Sequence, residues 1–466
     1  MNSKYKYLSQ NILLFSISGL VPKALSFLMV PFYTSVLTPT DYGIADLIST
    51  TVMLLVPIFT LDIQDAVMRY ALDKAFDNGD VISCASKTIP YGGIFVTLGA
   101  IIAHCLHISW LQDEYIFFVL ITYFITAIGN SLGLFCRGIN EVKAVAIASI
   151  ITTLITIPAN ILFLAVFRWG ITGYLAANVI GGIISNFYLA YKIHLCRFLH
   201  WKIPMNVRRE MFAYSIPLIF NVLAWWINSV SDRYILSWIS GVAMSGIFAV
   251  ALKIPSILSV FQGIFYQAWS ISAVKDFDPE DRDGFLSRTY TITNAAMVII
   301  CSGIMFFNMP LSWFLYSKDF FQAWEYVPLL LMSAVFNFMA LIVGAIFTAV
   351  KDTKSISTTT ILGAVVNLSA TVILTHFFNA YGAAFAMVLG YLAVFAARAV
   401  KVRRHIHLHL NWHRDVAGYV ALSLQTIMAS FGWWGMGIQL LPLMFILFLY
   451  RSEGKIVAKK VFSRFL

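Results

Sequence analysis

Charge is what this chain has least of. Only 12% of its 466 residues are Asp, Glu, Lys or Arg, 60% are hydrophobic, and the mean hydropathy is +0.81. A soluble chain carries about 25% charged residues, and no extended stretch here is polar enough to form a separate soluble domain. Cysteine is also sparse. The five residues (Cys84, Cys105, Cys136, Cys196 and Cys301) are scattered and odd in number, which gives neither a disulfide framework nor a zinc spacing. There is no G-x-x-x-x-G-K-[ST] loop, so the chain is not itself a P-loop ATPase.

What is present is apolar sequence in long runs. Residues 11–37 form the first, and at ~1.5 Å per residue they reach roughly 40 Å, beyond the ~30 Å hydrocarbon core of a bilayer. The run is too long for a signal-peptide core, lacks a small-residue cleavage site, and reads as a retained span with room for tilt or a kink at Pro22. Further runs begin near positions 44, 81, 115, 144, 171, 211, 242, 290, 327, 356, 380, 416 and 436. The fold class is therefore an all-α polytopic membrane protein of about 14 spans, with both termini on one side. With a cytoplasmic N-terminus, about 27 of the 32 Lys and Arg fall in cytoplasmic segments, a strong positive-inside bias. The net charge of +10 is thus topological and faces anionic membrane lipids, and nucleic acid is excluded as a partner. The tail over 455–466 reads as a short basic interfacial helix or a frayed end.

The chain repeats itself at about 200 to 210 residues. SVLTPTDYGIADL resembles SWISGVAMSGIFAVAL, matching Gly43 with Gly246. NILFLAVFRWGITGYLAANVIG resembles NLSATVILTHFFNAYGAAFAMVLG, placing Asn160 near Asn367, Gly173 on Gly382 and Gly181 on Gly390. The order of matches is kept, as in parallel-repeat transporters. The expected division is a six-helix lobe over 1–195, a basic linker over 196–209, and a second six-helix lobe over 210–400. Two extra helices and a basic tail follow over 401–466.

LTPTDYGIADL after the first span, DIQDAVMRY at the end of the second, SIPLIFN with SVSDRYILSWISG in the seventh, and AVALKIPSILSVFQGIFYQAW in the eighth resemble one family. It is the polysaccharide transporter branch of the multidrug/oligosaccharidyl-lipid/polysaccharide (MOP) exporter superfamily, the O-antigen type oligosaccharide flippases. The resemblance covers the whole chain, and its motifs are loose turns and polar positions. It implies two six-helix lobes around a cavity that opens alternately to each side of a bacterial inner membrane, with cytoplasmic termini. It further implies movement of an undecaprenyl-diphosphate-linked oligosaccharide between leaflets, with a polysaccharide polymerase and chain-length machinery as partners. An enzyme of the same pathway fits less well. A polymerase or ligase needs a large outward loop, and no outer connection exceeds roughly a dozen residues. The acids between 275 and 283 form only a short link. No catalytic residue, metal or cofactor is expected. The alternatives are an ion-coupled drug antiporter of the same superfamily and a non-transporting scaffold of an assembly complex.

Helical spacing singles out the candidate site residues. The first span aligns Ser16, Gly19, Lys23, Ser26 and Tyr33. The seventh aligns Asn221, Trp225, Asn228 and Asp232, and the eighth aligns Gly246, Ala249, Lys253, Ser256, Gly263 and Gln267. An in-span charge costs about 3 kcal/mol or more, so Lys23 and Lys253 read as cations for a diphosphate in a wet cavity, or as partners of buried acids such as Asp46 and Asp232. The same stripes also suit tight helix packing through small residues. Asp62, Asp65 and Arg69 share one face at the end of the second span, as a gate or as a half-solvated salt bridge between Asp65 and Arg69. Arg233 points away from Asp232 and reads as a brace to the eighth span. Trp225, Trp226, Tyr266 and Trp269 suit packing or sugar stacking. His405, His407, His409 and His413 read as a basic interfacial loop.

Overall fold

The computed structural model describes residues 22–106, 111–275, 277–406 and 410–453. Ser16, Gly19, His407, His409 and the basic tail beyond 453 lie outside them, as does the side chain of Gln267. Every regular element among the described residues is helical. Residues 22–28 are helical, the helix loosens at Met29, and it resumes as α1 (Val30–Val36). Pro31 has no N–H to donate back, which accounts for the break there, and the turn before Pro22 lies outside the described residues. Thr38 then opens α2 (Pro39–Phe59) with a capping box: its hydroxyl accepts from the Asp41 amide, and the Asp41 carboxylate accepts from the Thr38 amide at 3.1 Å.

The second span is not continuous through Tyr70, as the apolar pattern suggested. After α2, Leu61 and Asp62 both take positive φ (54° and 50°), and the Asp62 amide donates to the Pro57 carbonyl at 2.8 Å. This six-to-one bond closes the helix end, and the chain restarts as α3 (Ile63–Ala71). Next come α4 (Asn78–Cys105), capped by Asp77, α5 (Asp113–Gly138), α6 (Val142–Ile161, extended by a π turn) and α7 (Gly170–Lys192). Then follow α8 (Met205–Ser240), α9 (Val242–Ala251), α10 (Lys253–Lys275), α11 (Phe285–Phe306) and α12 (Asn308–Leu315). The chain ends with α13 (Val327–Ala349), α14 (Thr353–Val402), α15 (Trp412–Ala429) and α16 (Gly432–Leu449). Among the described residues, ten helices are long and apolar enough to cross a bilayer, or eleven if the α9–α10 pair, bent by 43°, is one broken span. Outward faces carry exposed Phe95, Ile102, Phe187, Phe220, Leu441 and Phe448, the surface of a protein whose solvent is lipid.

α14 is two antiparallel helices. Non-helical backbone at Asn379 reverses the chain, so that Gly390 faces Asn367 and Gly363 faces Val394. The fold thus contains polytopic all-α architecture with more crossings than helices of unbroken length. The chain divides into two compact units, Met1–Trp226 and Ile227–Leu466, with the boundary inside α8. The core of the first packs Ile63, Val67, Val81, Phe135, Cys136 and Met211. In the second, α13 is the centre, with 72% of its apolar stretch buried.

Gly181 and Gly390, matched in the repeat, do the same work in two hairpins. A Cβ on Gly181 would lie 2.1 Å from Thr156 Oγ1, and one on Gly390 would lie 2.7 Å from the Asn367 Cβ. Each lets two antiparallel helices touch. Gly181→Leu should therefore destabilise the first unit by about 1–3 kcal/mol through overpacking. Thermal unfolding of the purified protein checks this, and an unchanged midpoint would mean that α6 and α7 have slack at this crossing.

Arg398, counted only among the basic residues that set topology, is buried, at 6% exposure. Its guanidinium donates to the Ala340 carbonyl (2.7 Å), Thr359 Oγ1 (3.1 Å) and Thr360 Oγ1 (3.0 Å). Gly344 leaves it room, since a Cβ there would come within 2.6 Å of Nη1.

Candidate functional site

The first unit contains a groove, apolar over most of its wall but crossed by a row of amides and hydroxyls, that the sequence stripes did not single out. Two cavities, of about 590 and 470 Å³, share Gln64, Ile125, Thr126, Asn130 and Gly182 and so run into one another. α2 supplies Ser49, Val52 and Pro57, and the break after α2 brings Gln64 in from the start of α3. α5 contributes Thr122, Thr126, Asn130, Gly133 and Arg137, steps of four or three along one face. α7 contributes Tyr174, Asn178, Gly182, Ser185 and Asn186 at the same spacing. Ser149 and Thr152 of α6 close one end beside Arg137, and Trp225 of α8 closes the other.

The wall is fixed by its own hydrogen bonds. Asn186 Nδ2 donates to the Ile125 carbonyl at 2.8 Å, and Ser185 Oγ to the Ala148 carbonyl at 3.2 Å. Gln64 Nε2 donates to Asp62 Oδ1 at 3.1 Å. Gly182 lets α7 approach α5, since a Cβ would lie 2.5 Å from Ile125 Cγ2. Asn130 and Asn178 are exposed on the groove. Asn178 uses one amide proton on the Tyr174 carbonyl at 2.8 Å, which leaves its oxygen for a ligand. Amides and hydroxyls of this kind match the donors and acceptors of sugar hydroxyls, and a guanidinium matches a phosphate. Applying the stripe test to the fourth and sixth spans would have found Thr122, Thr126, Asn130 and Arg137, and Asn178 with Asn186.

The residues expected from the sequence divide differently. Trp225 is half exposed and lines the groove. Asn221 on the same helix is exposed. Trp226 donates its indole N–H to the Thr50 carbonyl at 3.0 Å, and Trp269 is buried with its N–H on the Ile342 carbonyl at 2.9 Å, so both pack. Asp62 is buried as the cap of α3, while Asp65 is exposed. Arg69 pairs with Asp73 at 3.6 Å instead of with Asp65. Both spacings are one helical turn, and Asp73 lies just beyond the end of α3, where its carboxylate also accepts from the Ala75 amide at 3.1 Å. Lys23 is exposed in the first unit.

In the second unit, Asn228 and Asp232 are brought together, but against α14 rather than on an open wall. Asn228 Nδ2 donates to the Thr360 carbonyl (3.3 Å), Asn367 Nδ2 to the Asn228 carbonyl (3.1 Å) and Thr371 Oγ1 to Asp232 Oδ1 (2.6 Å). Their exposures are 5% and 1%. Lys253 is half-buried and opens α10 at the bend, two residues before Pro255, whose missing N–H frees the carbonyl four residues back. The Arg233 carbonyl accepts from Ser245 Oγ at 3.1 Å, tying α8 to α9. His405 Nε2 lies 3.0 Å from Oδ2 of Asp352, the cap of α14, and closes the loop after it.

Comparison with known proteins places this geometry. No curated protein sequence matches the chain. Among solved structures, the lipid II flippase MurJ in an inward closed conformation is similar over 97% of this chain and 100% of its own, at 14% identity and a TM-score of 0.70. An inward-facing multidrug resistance MATE family transporter of the MOP superfamily is similar over 89% of this chain and 98% of its own, at 12% identity and a TM-score of 0.65. A MOP superfamily transporter from Pyrococcus furiosus is similar over 90% and 96%, at 14% identity and a TM-score of 0.58. At these identities the likeness is one of fold. The model of the polysaccharide biosynthesis protein family matches residues 8–271, more than half the chain. The chain is a polytopic membrane protein with the MOP transporter fold, and it belongs to the polysaccharide biosynthesis protein family.

Proposed function

We propose that the protein moves an undecaprenyl-diphosphate-linked oligosaccharide from the cytoplasmic to the outer leaflet of a bacterial inner membrane. In this reading the lobes over 1–195 and 210–400 alternate in access and both termini are cytoplasmic. The single observation that carries it is the groove of the first unit, with uncharged amides and hydroxyls along its length and a guanidinium at one end. Sugars occupy the amide-lined part, Trp225 offers a face for stacking, and the diphosphate meets cations. Lys23 and Arg137 are the proposed cations of the first unit, Lys253 is that of the second, and the lipid tail stays in the bilayer. A fixed cation acts more strongly in a low-dielectric groove than in water, which offsets its cost of insertion. Family membership supports a glycan-linked cargo, and a polysaccharide polymerase is the proposed neighbour in the pathway.

The test removes hydrogen bonding without adding charge. An Asn130→Leu, Asn178→Leu double variant should lower surface polysaccharide to roughly a tenth or less at matched protein level, because each sugar hydroxyl left unpaired in the groove costs about 1–3 kcal/mol. Export at the parental level would remove the groove from the transport path. Lys23→Ala is expected to reduce export by a smaller factor, with partial recovery in Lys23→Arg; unaltered export would show that Lys23 does not meet the cargo.

A further inference from the structure

A third cavity lies on the first unit, away from the polar groove and built of different chemistry. It encloses about 430 Å³ between the end of α2, one face of α4 and the start of α8. Lys87 and Arg208 lie at one end, while Phe59, Tyr91 and Phe95 line the other. Lys87 and Phe95 are eight residues apart on α4, or ~12 Å along the helix axis. The floor is closed where α2 meets α4: a Cβ on Gly92 would lie 2.3 Å from the Phe59 carbonyl oxygen. Phe59 and Phe95 stack with centroids 6.2 Å apart and planes 10° apart, forming a flat apolar side. Tyr91 and Phe95 are 65% and 58% exposed, so the groove opens sideways onto the lipid-facing surface rather than into the protein.

The polar end has the features of a membrane interface. Lys87 donates to the Trp201 carbonyl and lies 5.8 Å from the centroid of the Trp201 ring, and Trp201 itself is 90% exposed. Its carbonyl bond uses one ammonium proton, leaving two for another acceptor. Arg208 is exposed on the first turns of α8. A tryptophan and two cations at one level, with an apolar channel leading away from them for half a leaflet, describe a phosphate-bearing headgroup followed by a chain.

We propose that this groove binds an anionic glycerophospholipid of the leaflet facing the basic loops, with its phosphate between Lys87 and Arg208 and one acyl chain along Phe59, Tyr91 and Phe95. The charge complementarity selects an anionic headgroup, and the lateral opening selects a membrane lipid. The site is independent of the polar groove and does not rest on its reading. An occupied groove would splint the end of α2 at the Leu61–Asp62 break to α4 and α8, so that anionic lipid stabilises the first unit.

The full-length protein in nanodiscs of phosphatidylcholine with a minor fraction of phosphatidylglycerol provides the test, with retained lipid read by native mass spectrometry after mild delipidation. The parent should retain phosphatidylglycerol over phosphatidylcholine by about thirtyfold, the discrimination expected of two interfacial cations. A Lys87→Gln, Arg208→Gln double variant should lose that preference. Arg208→Glu, at an exposed position that does not threaten folding, sets a carboxylate beside Lys87 and should abolish it too, and its thermal midpoint should no longer rise when phosphatidylglycerol is added. Equal retention of both lipids by the parent, or an unchanged preference in Arg208→Glu, overturns the proposal. Full competition by water-soluble glycerol phosphate would reduce the site to an anion contact and also overturn it. Preferential retention of undecaprenyl phosphate would assign the groove to the transported carrier instead.

Discussion

Arg398→Ala should yield a protein that fails to accumulate in folded form. The guanidinium is buried in the second unit and donates to one carbonyl of α13 and two hydroxyls of the first half of α14. It therefore holds three helical segments at one point. Hydrogen bonds to a charged donor contribute about 1.5–3 kcal/mol each, and each buried acceptor left without its donor costs about 1–3 kcal/mol. That is a large share of the ~5–15 kcal/mol that stabilises a folded protein. Truncation also leaves an empty volume beside Gly344, where α13 and α14 approach around the side chain. Arg398→Lys should recover little, because an ammonium has no planar fork to reach acceptors in three directions. Detergent-extracted protein followed by size-exclusion chromatography and thermal unfolding measures this. A monodisperse Arg398→Ala variant with an unshifted midpoint would show that the three bonds are replaceable by water or by repacking.

Arg137→Gln is the second large expectation, on transport rather than stability. Arg137 is exposed at the end of α5, where the polar groove closes against Ser149 and Thr152. An exposed side chain contributes little to packing, so the variant should fold normally. Export should fall about tenfold or more, since a charge-assisted contact to a phosphate is roughly twice as strong as a neutral one. Arg137→Lys should keep part of the activity if charge alone matters and little of it if bidentate geometry matters. Purified protein in liposomes with a fluorescent lipid-linked oligosaccharide separates this from an effect on synthesis. Normal flipping by Arg137→Gln would move the diphosphate to other cations, with Lys23 and Lys253 the next to test.

These two arginines show where sequence reasoning stopped. Both were absorbed by the positive-inside count, which treats every basic residue near a span end alike. The rule is a statistical consequence of membrane insertion and gives topology without saying which cation turns inward. Arg398 lies only a few residues before Lys401, Arg403 and Arg404, and only its packing against α13 distinguishes it. The seventh-span stripe had the opposite fate. Helical spacing correctly placed Asn228 and Asp232 on one face, but that face meets Asn367 and Thr371 instead of a groove. Spacing shows which residues share a face; it does not show what the face touches.

By itself, the sequence determined that the chain lives in lipid and that it crosses many times. The apolar runs and the scarcity of charge impose this, because backbone in hydrocarbon must pair with itself and continuous apolar runs of this length do so as helices. Matching glycines also marked the repeat, since only a missing side chain allows two helices to touch at Gly181 and Gly390. Tertiary structure decided the rest. It broke the second span at Leu61 and Asp62, and it set the stripes of α5 and α7 across from each other to make a polar groove. It also buried Arg398, and it gathered Lys87 and Arg208 from separate helices at the mouth of an apolar cleft. Each of these depends on which helices become neighbours. Neighbours are chosen by side-chain shape across many weak contacts, and no local pattern in the chain carries that information.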